Sequence, residues 1–362
     1  MNLFPALAER YGEEQLSAGA AQRLAQEIAF GPIVFQVSRL MLKYGILARL
    51  NEHREDGQTL EELAEAAGLS RYGAQVLLES SLTIGTVHTR DNRYFISKAG
   101  YFLLTDKIAK INLEFVQEIC YQGMFDLDAT LQSGKPEGLK VFGQWPTIYE
   151  GLSQLPETAR EKWLAFDHHY SDSSFPEALA AVFSRPVKKL LDVGGNTGRW
   201  AQQCVAYNPK VDVTIMDLPQ QLGLMREAVQ GKPGAERIHG HPANLLDDSV
   251  PFPTGFDAIW MSQFLDCFSE AEVTGILKRA AVSMGDNTVL YIMEPFWDRQ
   301  RYETAAYCLT QTSLYFTAMA NGNSKIYHSE DMIRCAEAAG LRVENIRDGL
   351  GLGHSILECR KT

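Results

Sequence analysis

The chain has 362 residues and a formal net charge of -11, and hydrophobic and charged residues make up 45% and 22% of it. This length exceeds what one hydrophobic core normally serves, so more than one domain is predicted. The acidic balance argues against nucleic acid as a partner, and the absence of an apolar run long enough to cross a bilayer argues against a membrane partner.

The first part of the chain, residues 1–105, predicts a helical domain that ends in a hairpin. In TLEELAEAAGLS, Thr59 and Glu62 have the spacing of a capping box at a helix N-terminus. TVHTRDNRYFIS alternates around Asp91 and Asn92 as a two-stranded wing does. Together these elements are typical of a winged helix.

A winged helix raises the question of DNA binding. Its predicted recognition helix, SRYGAQVLLESS, carries one Arg and one Glu, which is far from the basic character of a groove reader. Neighbouring helices, including IVFQVSRLML, have apolar positions that suit burial against a second copy of the chain. We therefore predict a homodimer formed through this domain, and a ligand-responsive DNA regulator is the weaker alternative.

The remainder of the chain divides into a connector and a sheet domain. Residues 106–185 are helical in pattern and rich in aromatic side chains, which predicts a connector that also roofs a pocket. From residue 186 to 362, apolar runs alternate with helices: KKLLDVG, VDVTIMD, FDAIWMS, NTVLYIME, LRVENIRD and SILECRK. This alternation predicts an α/β fold, a Rossmann-like parallel sheet with helical layers on both faces and ligands at the carboxyl ends of its strands.

The stretch LLDVGGNTG predicts a ligand close to the main chain. Gly194, Gly195 and Gly198 leave the backbone bare where the first strand of the sheet turns into a helix. A dinucleotide fingerprint would need a glycine at Val193, and Asp192 would then repel the diphosphate. An acidic residue at this point suits a cationic group, such as the amino or sulfonium side of S-adenosylmethionine.

Two further polar residues follow strands of the predicted sheet. Asp217 ends the second strand, where a carboxylate accepts hydrogen bonds from both ribose hydroxyls. Asn244, in HPANLLDD, is expected at the pocket edge, where its amide can pair with the adenine edge. The alternative for both residues is that they cap the following helices.

These features together resemble the dimeric class I S-adenosylmethionine-dependent small-molecule O-methyltransferases, the family of plant phenolic and bacterial polyketide enzymes. The likeness covers nearly the whole chain: QTLEELAEAAGLS resembles the dimerisation domain, and LLDVGGNTG resembles DVGGGTG. Asn196 stands at a usual glycine, a mild exchange because Asn tolerates positive φ, and Asn244 stands at a usual Asp. The resemblance implies S-adenosylmethionine as cofactor. It implies cofactor contacts at Asp192, Gly194, Gly195, Asn196, Gly198, Asp217, Leu218, Asn244, Leu245 and Ser262.

The resemblance also implies where the general base lies. The family has a His just after the fourth strand, but here the segment reads SQFLDCFSE and Asp266 stands at the His position. Glu294 in YIMEPFW matches one of two glutamates that orient the His, and Lys325 stands at the place of the other. An ordinary Asp is a weak base toward a phenol, so Asp266 needs a raised pKa, which burial between Phe264 and Phe268 and the charge of Glu294 would supply.

Alternatives stay open for the acid/base group. Asp266 is alternatively an N-cap or a solvated turn residue, although Ser269 with Glu272 forms a better capping box for the helix that follows. FDHHYSD supplies His168 and His169, which point in different directions on a helix, so one of them at most faces the pocket. We take His169 as the second candidate for a catalytic role.

The cysteines and the first residues of the chain indicate the compartment. Six cysteines are scattered without CxxC or Cys/His spacing, which argues against disulfides and against a zinc site. No His/Asp spacing for a metal is present, so we expect none. MNLFPALAERYGEEQ lacks the basic and apolar stretches of a signal peptide, which predicts a cytoplasmic protein.

The sequence therefore predicts a homodimeric enzyme that transfers a methyl group from S-adenosylmethionine to an oxygen of a small aromatic or polyketide-like acceptor. The loss of the His and of one Glu motivates an alternative. In that alternative the chain has lost methyl transfer and serves as a scaffold that binds S-adenosylmethionine, S-adenosylhomocysteine or another ligand.

Overall fold

The computed structural model describes residues 3–362. They form two compact units: the helical unit, Glu14–Glu118, and the sheet unit, which combines residues 3–13 with Ile119–Thr362. The first helix, α1 (Pro5–Tyr11), therefore belongs to the sheet unit. There the Phe4 N–H donates to the carbonyl of Asp298 at 3.3 Å, and the Tyr11 hydroxyl donates to Glu303 at 3.2 Å.

The helical unit is built from helices and one hairpin. Its antiparallel strands are β1 (Val87–Arg90) and β2 (Arg93–Ile96). Its helices are α2 (Ala18–Ala29), α3 (Gly31–Lys43), α4 (Ile46–Glu52), α5 (Leu60–Ala67), α6 (Arg71–Ile84), α7 (Lys98–Thr105) and α8 (Lys107–Phe115).

Local sequence signals explain these boundaries. The predicted capping box starts α5: the Glu62 N–H donates to the Thr59 hydroxyl at 3.2 Å, and the Thr59 N–H donates to the Glu62 carboxylate at 2.8 Å. Asp91 and Asn92 turn the hairpin at φ of 51° and 60°, the left-handed conformation that a tight two-residue turn requires. Both predictions are confirmed.

The sheet unit contains further helices besides α1. They are α9 (Leu127–Ser133), α10 (Ile148–Gly151), α11 (Glu157–Asp172), α12 (Phe175–Val182), α13 (Arg199–Tyr207), α14 (Pro219–Val229), α15 (Glu270–Ser283), α16 (Glu303–Tyr315) and α17 (Ser329–Ala338). A π-helical turn, Phe316–Ala320, continues α16.

The sheet has seven strands in the order β5-β4-β3-β6-β7-β9-β8. The strands are β3 (Lys189–Val193), β4 (Asp212–Asp217), β5 (Ile238–Pro242), β6 (Ala258–Ser262), β7 (Val289–Glu294), β8 (Leu341–Leu350) and β9 (His354–Lys361). Strands β3 to β7 pair in parallel, and β9 pairs antiparallel with both β7 and β8. The predicted α/β fold is confirmed.

One expectation about the sheet needs correction, and one strand was not predicted. An all-parallel sheet is wrong for β9, because three residues separate it from β8 and a connection that short joins only antiparallel strands. The sequence also gave no sign of β5, whose segment IHGHP is mostly exposed at the sheet edge and lacks an apolar run.

Both faces of the sheet are covered, as predicted. Leu191 packs in a core with Ile276 of α15, whereas its neighbour Leu190 packs in a second core with Trp200 of α13. This alternation follows from successive side chains pointing to opposite faces of a strand. Because β3, β4, β6 and β7 are parallel, their carboxyl ends lie at one edge of the sheet, where the polar residues described next are found.

Candidate active site

The turn between β3 and α13 presents bare backbone. Its residues Gly194, Asn196 and Gly198 have φ angles of 75°, 49° and 77°. Gly adopts such angles freely and Asn tolerates them, which explains how Asn196 replaces a glycine. A Cβ on Gly195 would lie 2.5 Å from Oδ2 of Asp192. Glycines therefore keep the space beside this carboxylate open.

Asp192 is a carboxyl group buried beside the glycine turn. It is 2% exposed, and its Oδ2 has no hydrogen-bond partner among the described residues. Burial, together with a smaller contribution from the negative charge of Asp217, raises the pKa of Asp192 to about 8. A buried carboxylate without a partner is costly, so this position favours a bound cationic group that would let it ionise.

Asp217 is held by the turn itself. Its Oδ2 accepts the Asn196 N–H at 2.9 Å, and its Oδ1 accepts the Leu218 N–H at 2.7 Å. Burial raises the pKa of Asp217, while these two hydrogen bonds lower it. Each carboxylate oxygen retains a second lone pair, so the side chain is oriented to accept two hydroxyl donors from a ligand.

The other predicted cofactor residues lie at the same edge of the sheet. Asn244 is exposed just beyond β5, and its Oδ1 accepts the Leu246 N–H at 3.0 Å. Its oxygen thus stabilises a turn and caps no helix, and its amide nitrogen is the group that can face a ligand. Leu245 is 7% exposed, and Ser262 is half-buried at the end of β6.

The segment that follows β6 carries Asp266, and it is fixed from several sides. The Phe264 and Leu265 N–H groups donate to Oε1 of Glu294 at 3.1 and 2.9 Å. The Tyr327 hydroxyl donates to the carbonyl of Phe268 at 2.5 Å. The Asn321 amide donates to the carbonyl of Cys267.

This segment also contacts the glycine turn, because a Cβ on Gly194 would overlap the ring of Phe264. The two turns are therefore packed together at the edge of the sheet.

Asp266 is buried, not solvated. It is 3% exposed, and Ser269 caps α15 in a capping box with Glu272, so neither a solvated turn residue nor the N-cap describes Asp266. Burial, together with a smaller contribution from the charge of Asp167 on α11, raises the pKa of Asp266 to about 7. Phe264 and Phe268 stand two positions before and two positions after Asp266, and their ring centroids lie 4.9 Å apart.

Glu294 ends β7 and is 2% exposed. Its Oε1 accepts the two backbone donors just described, and its Oε2 has no hydrogen-bond partner in the described chain. Burial raises the pKa of Glu294 well above its ordinary range, and the charge of Asp266 raises it further. Glu294 thus anchors the turn that carries Asp266.

Sequence reasoning missed the partners of Cys267. The Tyr149 hydroxyl donates to its Sγ at 2.9 Å, and the thiol donates to Oδ1 of Asp266 at 3.5 Å. Nearby, the Trp163 indole N–H donates to the Tyr315 hydroxyl at 2.6 Å. The aromatic content of the connector was the available signal, but no spacing in the sequence pairs Tyr149 with a residue after β6.

The remaining candidates lie outside this turn. His169 is half-buried on α11, with its ring centroid 6.0 Å from that of Tyr170. His168 lies 3.8 Å from Asp167, and burial lowers the pKa of His168. Lys325 pairs with Asp331 at 3.1 Å and with Glu270 at 3.7 Å. Among residues 3–362, no group of three or more His, Cys, Asp and Glu side chains is arranged to hold a metal ion.

Comparison with known protein families decides the relationship. Residues 125–342 match the O-methyltransferase domain, which is more than half of the chain, and residues 22–94 match the Dimerisation2-like domain. The chain belongs to the O-methyltransferase family. The predicted family and its cofactor, S-adenosylmethionine, are thereby confirmed for this methyltransferase.

Individual relatives are distant. The L-tyrosine C(3)-methyltransferase of Streptomyces lavendulae is 23% identical over 270 residues, which cover 73% of this chain and 72% of that protein. The S-adenosylmethionine-dependent methyltransferase SibL has a TM-score of 0.69 at 24% identity, over 92% of this chain and 98% of its own. The neocarzinostatin-biosynthesis O-methyltransferase NcsB1, solved with S-adenosylmethionine and 2-hydroxy-5-methyl naphthoic acid, has a TM-score of 0.65 at 18% identity, over 92% and 96%. The two solved structures share the fold of the methyltransferase.

The residues of the methyltransferase fit S-adenosylmethionine. The cofactor carries an ammonium and a sulfonium, and the unpartnered Oδ2 of Asp192 lies beside backbone that glycine keeps bare. A ribose needs a hydroxyl acceptor, and Asp217 presents two oriented oxygens. Asp192 would therefore hold the cationic end and Asp217 the ribose.

Proposed function

We propose that the methyltransferase methylates an oxygen of a small aromatic or polyketide-like acceptor and that Asp266 is the general base in place of the family's His. The acceptor class is supported by the relatives, whose names include L-tyrosine and a naphthoic acid. The observation that carries the role of Asp266 is its burial at the carboxyl end of β6, on a turn packed against the glycine turn.

The pKa of Asp266 makes this role reasonable. An ordinary Asp lies about six pKa units below a phenol, whereas a base near pKa 7 lies about three units below it, close to the gap of a His. Burial thus gives a carboxyl the basicity that the family obtains from imidazole. At neutral pH, a sizeable fraction of Asp266 would be ionised and ready to accept a proton.

The reaction then needs little more from the protein than orientation. S-adenosylmethionine, when bound, supplies a methyl group on a sulfonium that leaves as a neutral thioether. Asp192 and Asp217 orient it, and Asp266 accepts the hydroxyl proton of the acceptor as its oxygen bonds to the methyl carbon. Glu294 positions Asp266 through the Phe264 and Leu265 amides. His169 on α11 remains the second candidate for the proton acceptor.

The further cofactor contacts are also proposals. Beside Asp192 and Asp217, they are Gly194, Gly195, Asn196, Gly198, Leu218, Asn244, Leu245 and Ser262, all near the carboxyl ends of the parallel strands.

The test compares Asp266→Asn with a matched buried carboxyl. Labelled S-adenosylmethionine and a panel of phenols, hydroxynaphthoates and tyrosine derivatives identify an acceptor, and mass spectrometry shows whether oxygen or carbon receives the methyl. Asp266→Asn should then lose at least a hundredfold in kcat and the acidic limb of its pH profile, while S-adenosylhomocysteine binding is retained.

Asp298→Asn is the control, since Asp298 is 1% exposed and accepts hydrogen bonds from Ser329. It should keep the acidic limb. An unchanged limb in Asp266→Asn would exclude Asp266 as the base, and carbon methylation would contradict the proposed reaction.

We further propose the three-part organisation 1–105, 106–185 and 186–362, a winged-helix arrangement of the first part, and a homodimer formed through it. The match of residues 22–94 to a dimerisation domain supports the dimer. So does the apolar surface of α2 and α3, where Ile28 is 70% and Ile33 58% exposed. Sedimentation of the wild type and of Ile28→Glu tests the proposed dimer, and the variant is expected to dissociate into monomers.

The remaining proposals concern location and excluded partners. All six cysteines are free thiols, which supports a cytoplasmic setting. In the described part of the chain, no helix combines the length and apolarity needed to cross a bilayer. The net charge of -11 supports the absence of a nucleic-acid partner.

A further inference from the structure

A chain of two hydrogen bonds ends on Asp266. Tyr149, on α10, donates its hydroxyl hydrogen to Sγ of Cys267 at 2.9 Å. Cys267 donates its thiol hydrogen to Oδ1 of Asp266 at 3.5 Å, a normal length for a bond from sulfur. Both bonds point in the same direction, from the phenol through the thiol to the carboxylate.

The turn that carries Asp266 and Cys267 and the helix that carries Tyr149 are held in place by separate contacts. Glu294 and Asn321 fix the backbone of the turn that carries Asp266 and Cys267. Tyr149 sits in α10 next to Ile148, whose side chain is fully buried. The hydrogen bonds are therefore preorganised and do not depend on a mobile surface side chain.

We propose that Tyr149 and Cys267 are positioning residues that stabilise the ionised, proton-accepting form of Asp266. This inference rests on the proposed function of Asp266 and extends it to two residues that act through the Asp266 carboxylate. Cys267 is suited to the task because burial and the charge of Asp266 raise the pKa of its thiol, so it keeps its hydrogen and donates. A thiolate would repel the carboxylate instead.

The groups that face Asp266 from other elements act in the opposite sense. Asp167 on α11 and Glu294 on β7 are acids, and their charges oppose ionisation of Asp266. The phenols of Tyr149 and Tyr327 also lie within electrostatic range of Asp266 and carry no positive charge. The thiol donor is therefore the side-chain contact that lowers the pKa of Asp266 and keeps the base usable at neutral pH.

The experiment measures the pH dependence of kcat in the full-length protein saturated with S-adenosylmethionine. Cys267→Ala removes the donor, so the acidic limb should move up by about one pH unit, which is a tenfold loss of rate below the limb. Tyr149→Phe leaves the thiol in place and should move the limb in the same direction by less. Cys267→Ser keeps a hydroxyl donor and should leave the limb in place or move it down.

Cys335→Ala is the matched control, because Cys335 is also buried and donates to a carbonyl on α15 instead of to Asp266. It should leave the limb where it is in the wild type. A fall in rate at all pH values without a shifted limb in Cys267→Ala would overturn the proposal. So would a limb shifted equally in Cys267→Ser.

A second measurement needs no turnover. Carbon-13 labelling of aspartate carboxyls allows the pKa of Asp266 to be followed by NMR in the complex with S-adenosylhomocysteine, with Asp266→Asn identifying its signal. The pKa should rise in Cys267→Ala and return in Cys267→Ser. An unchanged pKa in Cys267→Ala would refute the positioning role of Cys267 and Tyr149. The expected pKa changes in a protein that transfers no methyl group would refute the proposed function alone.

Discussion

Replacing Asp192 with Asn should stabilise the free protein and weaken its hold on S-adenosylmethionine. The pKa of this buried carboxyl is raised from 3.8 to about 8. The unfolded chain therefore releases a proton at low pH that the folded protein retains. Stability is fully present below the unfolded pKa and is lost as the pH rises toward the folded value.

The magnitude follows from the interval between the two pKa values. Each pKa unit corresponds to about 1.4 kcal/mol, so about three units between the unfolded pKa and neutral pH cost about 4 kcal/mol. Asp192→Asn has no titratable group at this position and avoids this cost. Its gain in free energy of unfolding should reach about 4 kcal/mol at neutral pH and shrink by about 1.4 kcal/mol for each unit of acidification.

Urea unfolding of both proteins across this pH range measures the effect, and calorimetry with S-adenosylmethionine measures the loss of affinity. A charge-assisted hydrogen bond is worth about 1.5–3 kcal/mol, so affinity should fall by roughly 10- to 150-fold. Asp217→Asn is the matched control with the opposite sign, because an amide NH2 would face one of the two backbone donors that Asp217 accepts. A destabilised Asp192→Asn at every pH would refute the reasoning.

Three other predictions concern different parts of the sheet unit. The pKa of buried His354 is lowered from 6.5 to about 4; stability should therefore hold above about pH 6.5 and fall by about 3 kcal/mol toward pH 4, and urea unfolding of His354→Gln should show a shallower fall. Gly194→Ala should lower the melting temperature and S-adenosylhomocysteine affinity, because its methyl group would overlap Phe264. Gly349→Ala, at the same φ of 75° with open space around it, should show only the backbone strain of about 1–2 kcal/mol, and equal effects would contradict the overlap. The side chain whose charge acts on Asp266 is an acid, Asp167, so a second carboxylate brought beside them is repelled. In calorimetry, 4-hydroxybenzoate should therefore bind the S-adenosylhomocysteine complex at least about tenfold more weakly than p-cresol, and equal affinity would contradict this.

Features set by a few adjacent residues could be predicted from the sequence. The capping boxes at Thr59 and Ser269 and the hairpin turn at Asp91 depend on hydrogen bonds and backbone angles within four residues. The glycine turn before α13 is equally local, since φ preference alone makes its residues Gly or Asn. The candidate cofactor residues follow from it because parallel strands bring their carboxyl ends together.

Features that depend on distant residues could not be predicted in this way. The pKa of Asp266 is set mainly by burial, which no spacing reports. The bond from Tyr149 to Cys267 joins residues 118 positions apart. Strand β5 at the sheet edge is held by its backbone pairing with β4, and its side chains give no apolar signal.

The placement of α1 has a consequence for the order of folding. Tyr11 and its partner Glu303 are 292 positions apart. At a synthesis rate of roughly 5–20 residues per second, α1 waits about 15–60 s on the ribosome before α16 exists to receive it. Leu7 of this helix is fully buried in the finished structure, and α1 lacks its packing partner α16 during that interval. Helix α1 is thus synthesised early and packs late. A chaperone that binds short apolar helices would therefore bind α1 during translation.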